Sequence, residues 1–399
     1  MNIRQKQLDK RHYLRPVITT AYLLLVIYGS LYPMSNWRIP VDENWFSLFD
    51  ITARYMPRSD YITNLLVYIP LGILLTISLR SRFKKLRLIT TVVSIISTLS
   101  LALEWLQVFL PRVPSLIDWV LNVVGGLIGS LAAYFAGKQS RSGMILREWR
   151  YRWFAHGRFA DLALVILAIW ALSMLSPLAP ITTMDELTEK LILHNSNNQW
   201  FVYTNIIIYC LTIGFLLSFI SITPIEFWRL FIGFTLTIFL LRLFVADANT
   251  DLLFWVSGLF AILMLWFLLR LEIHIQAIVI LFLLAFSYIT THTWGAPHYV
   301  SAEQMINWLP FNQQIGKVQR FGEILQVFFV FLSLSYCAIA VKPHNDFNFG
   351  MIGGFVVVSI VLIIETQTKQ VDVTEIILAL GAWTIPWIHP EIRKGPQKI

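Results

Sequence analysis

Glu104 and Gln107 stand three residues apart, and Asp118 and Asn122 stand four apart, with Arg112 in the short stretch between the pairs. At these spacings each pair shares one face of a helix. Two helices joined by so short a link run antiparallel, so both pairs come to the same end of a hairpin. Asn64, on the preceding apolar segment, would complete a pocket of two carboxylates, one guanidinium and three amides. Such a set can bind a polar or anionic headgroup. Two carboxylates in different surroundings can also split their pKa values and act as acid and base. No nucleophile stands beside a base, however, so the sequence leans away from an enzyme. An architectural reading stays open beside these. Ser115-Leu-Ile-Asp118 has the form of a capping box, with Asp118 relieving free amides at the positive end of a helix. Arg112 and Glu104 would then be a clasp, and Asn122 a bond between helices.

Other polar residues interrupt apolar runs. Arg242 needs a partner, and Asp247, Asp251 or Glu365 could supply one. Arg242, Asp251 and Glu365 are therefore secondary candidates for a polar site. Asp161 lies near several arginines. His292, His298 and Glu303 have no metal-site spacing, and no metal or other cofactor is expected. Cys210 and Cys337 fall inside apolar runs and read as small buried hydrophobes rather than a disulfide or metal ligands.

The elements that must position these residues are plain from composition. Of 399 residues, 57% are hydrophobic and 14% charged, and mean hydropathy is +0.66. Soluble domains are nearer half apolar and a quarter charged. Continuous apolar segments fall at about 16–33, 61–79, 88–110, 115–136, 159–178, 200–222, 228–245, 251–270, 274–291, 321–341, 350–366 and 371–388. Most approach the roughly 20 residues a membrane helix needs. A backbone in lipid must satisfy its own hydrogen bonds, and these runs do not alternate, so they read as helices. The fold expected is an all-α polytopic membrane protein of about twelve transmembrane helices.

The formal charge of +8 follows the topology and does not point to nucleic acid. Arg4, Lys6, Lys10, Arg11 and Arg15 precede the first segment. Arg80, Arg82, Lys84, Lys85 and Arg87 fill the second-to-third link. A further basic run lies between Lys138 and Arg158. The opposite links are poor in Lys and Arg. By the positive-inside tendency both termini are cytoplasmic. The apolar run after the basic start lacks a small-x-small cleavage site and reads as an uncleaved first helix.

Spacing suggests three four-helix repeats, at 1–140, 158–271 and 272–390, with a tail at 391–399. Each has one span, a long outer loop and three spans on short links. Thr63-Asn64-Leu-Leu-Val-Tyr68 recurs as Thr204-Asn205-Ile-Ile-Ile-Tyr209. The Asp118…Gly125 helix start recurs as Asp251…Gly258. Glu365-Thr-Gln367 and Glu375…Gly381 are weaker echoes in the last third. Gly125-Gly126-Leu-Ile-Gly129 has a small-xxx-small spacing that predicts close helix contact. Pro70-Leu-Gly72 predicts a kink.

The segment from about 60 to 136 resembles the VanZ-like family of bacterial membrane proteins. The resemblance rests on Asn64, Pro70, Gly72, Glu104, Gln107, Arg112, Asp118, Asn122 and Gly125, in order and at matching spacing. The second repeat lacks a Glu-x-x-Gln and the third lacks the Asn-x-x-x-Tyr start. The resemblance therefore carries site residues only into the first. It implies a helical fold in a bacterial inner membrane and an envelope context. The family is named for low-level resistance to a glycopeptide antibiotic of the teicoplanin type, and its molecular mechanism is generally unassigned.

The function expected is binding of a membrane lipid or lipid-linked envelope intermediate at an outward-facing pocket of Asn64, Glu104, Gln107, Arg112, Asp118 and Asn122. By the resemblance, this would bear on glycopeptide resistance or surface glycan assembly. The alternatives are a multi-span transporter or flippase, which the repeats suit, and a membrane enzyme acting on lipid-linked sugars, whose outer loops would need more acids and histidines.

Overall fold

The computed structural model describes residues 19–31 (without 21), 37, 58–83, 85–110, 115–137, 143–145, 148, 150, 153–155, 157–176, 200–245, 250–294, 318–342, 347–368 and 373–395. Each of the twelve apolar segments carries a helix. In chain order they are α1 (Tyr22–Leu31), α2 (Arg58–Leu79), α3 (Lys85–Gln107), α4 (Leu116–Phe135), α5 (Arg158–Met174), α6 (Trp200–Ile220), α7 (Pro224–Leu243), α8 (Leu252–Leu268), α9 (Ile273–Trp294), α10 (Val318–Val341), α11 (Phe347–Thr368) and α12 (Val373–Ile388). Among the described residues, seven of these are long and apolar enough to cross a membrane: α3, α4, α6, α7, α9, α10 and α11. The described parts of α1, α2, α8 and α12 are shorter apolar helices. Among the described residues the architecture is helical and built from membrane-type helices.

Local chemistry sets several helix starts. Ser115, Thr223 and Asp251 each take an extended backbone and accept a free N–H of the helix that follows. Pro224 fills the first position of α7, where its missing N–H costs nothing. Pro70 lies inside α2, which is assigned as helix without a break from Arg58 to Leu79.

The chain divides into two compact units, Met1–Trp149 and Arg150–Ile399. In the first, α2 packs along α4, and α3 packs on both. Tyr68, Leu71 and Leu75 from α2 bury against Leu88, Val92 and Ile96 from α3 and Val26 from α1. The Tyr22 hydroxyl of α1 donates to the Val67 carbonyl at 2.9 Å, and Thr19 hydrogen-bonds Ser78 at 2.7 Å. Along the α2–α4 seam the contact is between main chains. A Cβ on Gly72 would run into the Gly126 carbonyl, and one on Gly129 into the Ile69 carbonyl.

In the second unit α6 and α10 are the central helices, with 72% and 67% of their apolar windows inside the protein against 22–39% for α7, α9 and α11. Phe159 of α5 stacks on Tyr336 of α10 at 3.9 Å, and Phe215 and Phe219 of α6 meet the same group edge-on. α10 also packs on α12, where Ser335 donates to the Trp383 carbonyl at 2.8 Å. The Trp383 indole in turn donates to the Gly350 carbonyl of α11 at 2.8 Å. Trp383→Phe should therefore lower stability by about 1 kcal/mol, the ordinary net worth of one hydrogen bond. A thermal midpoint in detergent equal to that of the natural chain would contradict the bond. Cys210 and Cys337 are free, buried and separate from each other. Asp161 meets Arg150 at 2.9 Å and Arg158 at 3.8 Å, with half of its side chain exposed.

Candidate functional site

The hairpin of α3 and α4 brings Glu104, Gln107, Asp118 and Asn122 to one end, with Ser30 of α1 and Tyr68 of α2 beside them. Glu104 and Gln107 lie on the inward face of α3 and are 4% and 7% exposed. Asn122, on α4, is also buried. Buried polar groups in lipid need partners, and the structure supplies several. Glu104 Oε2 accepts the Ser115 N–H at 3.0 Å. Gln107 Nε2 donates to the Ser30 carbonyl of α1 at 2.9 Å. Asn122 Nδ2 donates to Ser100 Oγ at 2.9 Å. About two turns deeper, Thr76 of α2 donates to Ser130 of α4 at 2.9 Å.

This geometry corrects the capping-box reading. Ser115 does cap α4, but its Oγ accepts the N–H of Ile117 at 3.2 Å rather than that of Asp118. The reach-back arm to the Ser115 N–H comes from Glu104, on the other helix. Glu104 therefore ties the two halves of the hairpin together. Asp118, in the first turn of α4, is half-buried with its Oδ1 buried, one turn before Asn122 on the same face. Asn64 is half-buried on α2, one turn before Tyr68. Arg112 and its expected clasp with Glu104 lie outside the described residues.

Three residues absent from the expected set stand at the centre of it. The Tyr68 hydroxyl points among Ser30, Ser100 and Glu104. Tyr68 is 2% exposed, and its hydroxyl has no hydrogen-bond partner of good geometry. Asn122 Oδ1 is likewise buried without a partner. The cluster thus keeps unused hydrogen-bonding capacity in the interior, where such capacity normally marks a bound water or ligand. The sequence held a signal for these residues. Tyr68 follows Asn64 by four, and Ser100 precedes Glu104 by four, so each shares a helix face with a residue already singled out.

The matching positions of the second unit are arranged differently. Asn205 donates from Nδ2 to Thr291 of α9 at 2.7 Å and accepts from Ser287 at 2.7 Å. The Tyr209 hydroxyl accepts from Gln326 of α10 at 2.8 Å. Asp251 accepts the Phe254 N–H at 3.0 Å and the Tyr203 hydroxyl. These bonds close the echo of the motif upon itself. Arg242 does not meet Asp251. It donates to the Met174 carbonyl at 2.6 Å and lies over the Phe254 ring, 5.5 Å from its centroid. Asp247 is outside the described residues. Glu365 is buried near the α11–α12 link, beside Glu375. His298 and Glu303 lie outside the described residues, and no group of three or more His, Cys, Asp or Glu among the described ones is arranged to hold a metal.

Comparison with known proteins agrees with this partition. Residues 16–137 match the family model described as VanZ/LLP1. That segment is under a third of the chain and falls within the first unit. It contains α1 to α4 and every residue of the buried cluster. No curated protein and no solved structure matches the chain.

Proposed function

We propose that this VanZ-like membrane protein binds the polar head of an amphiphile in the cluster between α1, α2, α3 and α4. The observation that carries the reading is the pair of unused groups, Tyr68 OH and Asn122 Oδ1, buried beside Ser30, Ser100 and Glu104. The described lining is made of hydroxyls, an amide oxygen and carboxylates. It favours a head that donates hydrogen bonds, such as sugar hydroxyls or an amine, over a bare anion. Lipid-linked envelope intermediates carry such heads. The charge pattern of the links supports a bacterial inner membrane with cytoplasmic termini and a cluster at the outer ends of the helices. The bearing of this on glycopeptide susceptibility or glycan assembly belongs to the same proposal.

An internal threefold repeat is also proposed. In each third the second helix packs on the fourth: α2 on α4, α6 on α8 and α10 on α12. On this reading the first repeat keeps a working site and the second has turned its Asn205 and Tyr209 into internal struts.

Tyr68→Phe tests binding apart from folding. The hydroxyl has no good partner within the protein, so its removal should leave the thermal midpoint unchanged. A lost hydrogen bond to a head should lower the co-purified amphiphile by about tenfold, or about 1.4 kcal/mol. Native mass spectrometry of the full chain extracted with its own lipids reads both the head chemistry and the occupancy. Glu104→Gln, which keeps shape and removes charge, should lower occupancy as well. Equal occupancy in the natural chain, Tyr68→Phe and Glu104→Gln would leave the cluster with a structural role only.

A further inference from the structure

In the second unit, α8 carries an open apolar stripe that ends in a cation. Val256, Leu259, Leu263 and Trp266 follow one another at spacings of three, four and three, so they share one face of the helix. All four are between 44% and 68% exposed. The other side of α8, with Phe254, Ala261, Leu265 and Leu268, is buried, and the helix packs on α6. From Val256 to Trp266 the stripe rises about 15 Å, at about 1.5 Å per residue. That is half of the roughly 30 Å hydrocarbon core, the depth of one leaflet.

Arg270 continues the same stripe, four residues beyond Trp266. Its guanidinium lies over the Trp266 ring, 3.4 Å from the centroid, with the Phe267 ring at 6.0 Å. The guanidinium makes no hydrogen bond and no ion pair with any described residue. Glu272, two residues on, is exposed and does not pair with it. Every residue of this turn is described, and its main chain is fixed. The N–H groups of Arg270 and Leu271 donate to the Phe267 and Leu268 carbonyls at 3.1 and 3.0 Å. Gln276 Nε2 donates to the Leu271 carbonyl at 2.7 Å. α9, which is long and apolar enough to cross a membrane, begins three residues after Arg270. Arg270 and Trp266 therefore stand at a membrane edge, where indole rings and lipid phosphates both lie. A guanidinium held on an aromatic face keeps its forked edge free, and that edge matches a phosphate with two parallel bonds.

We propose that Arg270 and the stripe below it form a binding site for one anionic phospholipid, separate from the buried cluster of the first unit. The phosphodiester takes the forked edge of Arg270, and one acyl chain lies along Leu263, Leu259 and Val256. Trp266 fixes the plane of the guanidinium and fills the level between head and chain. Any lipid can lie along the stripe, because tails are as apolar as leucine. The head is what Arg270 selects. A choline or ethanolamine head carries its own cation, which competes with Arg270 for the phosphate. A head without a cation leaves the phosphate to the protein.

Native mass spectrometry of the delipidated full chain in detergent, titrated with phosphatidylglycerol, tests the site. Arg270→Gln should weaken the tightest binding by about tenfold. The same loss should appear in a Tyr68→Phe background, which keeps this site apart from the first-unit cluster. Arg270→Lys keeps the charge without the fork and should fall between. Trp266→Leu keeps the charge and the apolar stripe but frees the guanidinium, and should weaken binding by about twofold to fivefold. Arg229→Gln, at an exposed arginine of α7 that lies over no described ring, should bind as the natural chain does. Phosphatidylcholine should bind the natural chain more weakly. Arg270 and Trp266 are exposed, so every variant should keep the natural thermal midpoint. The proposal fails if Arg270→Gln or Trp266→Leu binds phosphatidylglycerol as tightly as the natural chain. It fails equally if Arg229→Gln loses as much as Arg270→Gln, since the attraction would then be diffuse, or if phosphatidylcholine binds as well. Displacement of the lipid by millimolar inorganic phosphate would also overturn it, because the site would then answer to free phosphate.

Discussion

Gly129→Leu should leave the first unit without a stable α2–α4 contact. Gly129→Ala alone should cost about 1–3 kcal/mol, the usual range for overpacking a tight contact. The reason is what the added carbon would strike. At Gly129 it meets the carbonyl, and then the Cα, of Ile69, which are main-chain atoms inside a helix. A side chain could rotate away, but these atoms can move only if the helices part. Gly72 makes the reciprocal approach to the Gly126 carbonyl. Gly233 is the control, since a Cβ there meets nothing within 4 Å. Gly233→Ala should keep or slightly raise the thermal midpoint. Fluorescence-detected size exclusion after a heating series would read all three, and a natural midpoint for Gly129→Leu would show that the seam is not a main-chain contact.

Asp251→Ala should be the most damaging single change among the polar residues of the second unit. One oxygen caps α8 by accepting the Phe254 N–H, and loss of such a cap costs about 0.5–2 kcal/mol. Asp251 also accepts the Tyr203 hydroxyl of α6, a charge-assisted bond worth about 1.5–3 kcal/mol. The two effects together should lower stability by about 2–5 kcal/mol. Asp251→Asn keeps an oxygen for the cap and should recover part of the loss. Tyr203→Phe should remove the second contribution alone. If Asp251→Ala and Tyr203→Phe have equal midpoints, the cap carries none of the stability.

The helices were legible in the sequence because length and apolarity are local properties. The runs read at 115–136 and 200–222 became Leu116–Phe135 and Trp200–Ile220. The count of membrane crossings is less direct. α8, with 17 residues, and α12, with 16, are apolar yet short, and length alone does not decide whether such helices cross. The glycine spacing at 125–129 announced a close contact but not its partner. Only three dimensions reveal that α4 lies against Leu65 and Ile69 of α2.

The candidate site was legible by halves. Spacing placed Glu104 with Gln107 and Asp118 with Asn122, because residues three and four apart on a helix are neighbours by geometry. Which groups satisfy which was hidden. Glu104 reaches across the hairpin to Ser115, and Gln107 reaches back to a carbonyl of α1, a partner 77 residues away. Main-chain acceptors have no residue type, so no pattern of residue types can announce them. Tyr68 and Ser100 were passed over because a tyrosine and a serine in an apolar run look like ordinary filling, and their weight comes only from facing Glu104. The same limit hid the meeting of His292 and Glu375, which come from two helices and share no sequence period.

A seam built of main chain leaves α2 and α4 with nothing to re-sort, so the two travel as one rigid plank. On the proposed binding reading, α1 and α3, whose hold on the plank is made of side chains that can swing, are the helices able to give way to a ligand. The bond from Gln107 to the Ser30 carbonyl then sits where a latch would, at the edge of the door and not at its hinge.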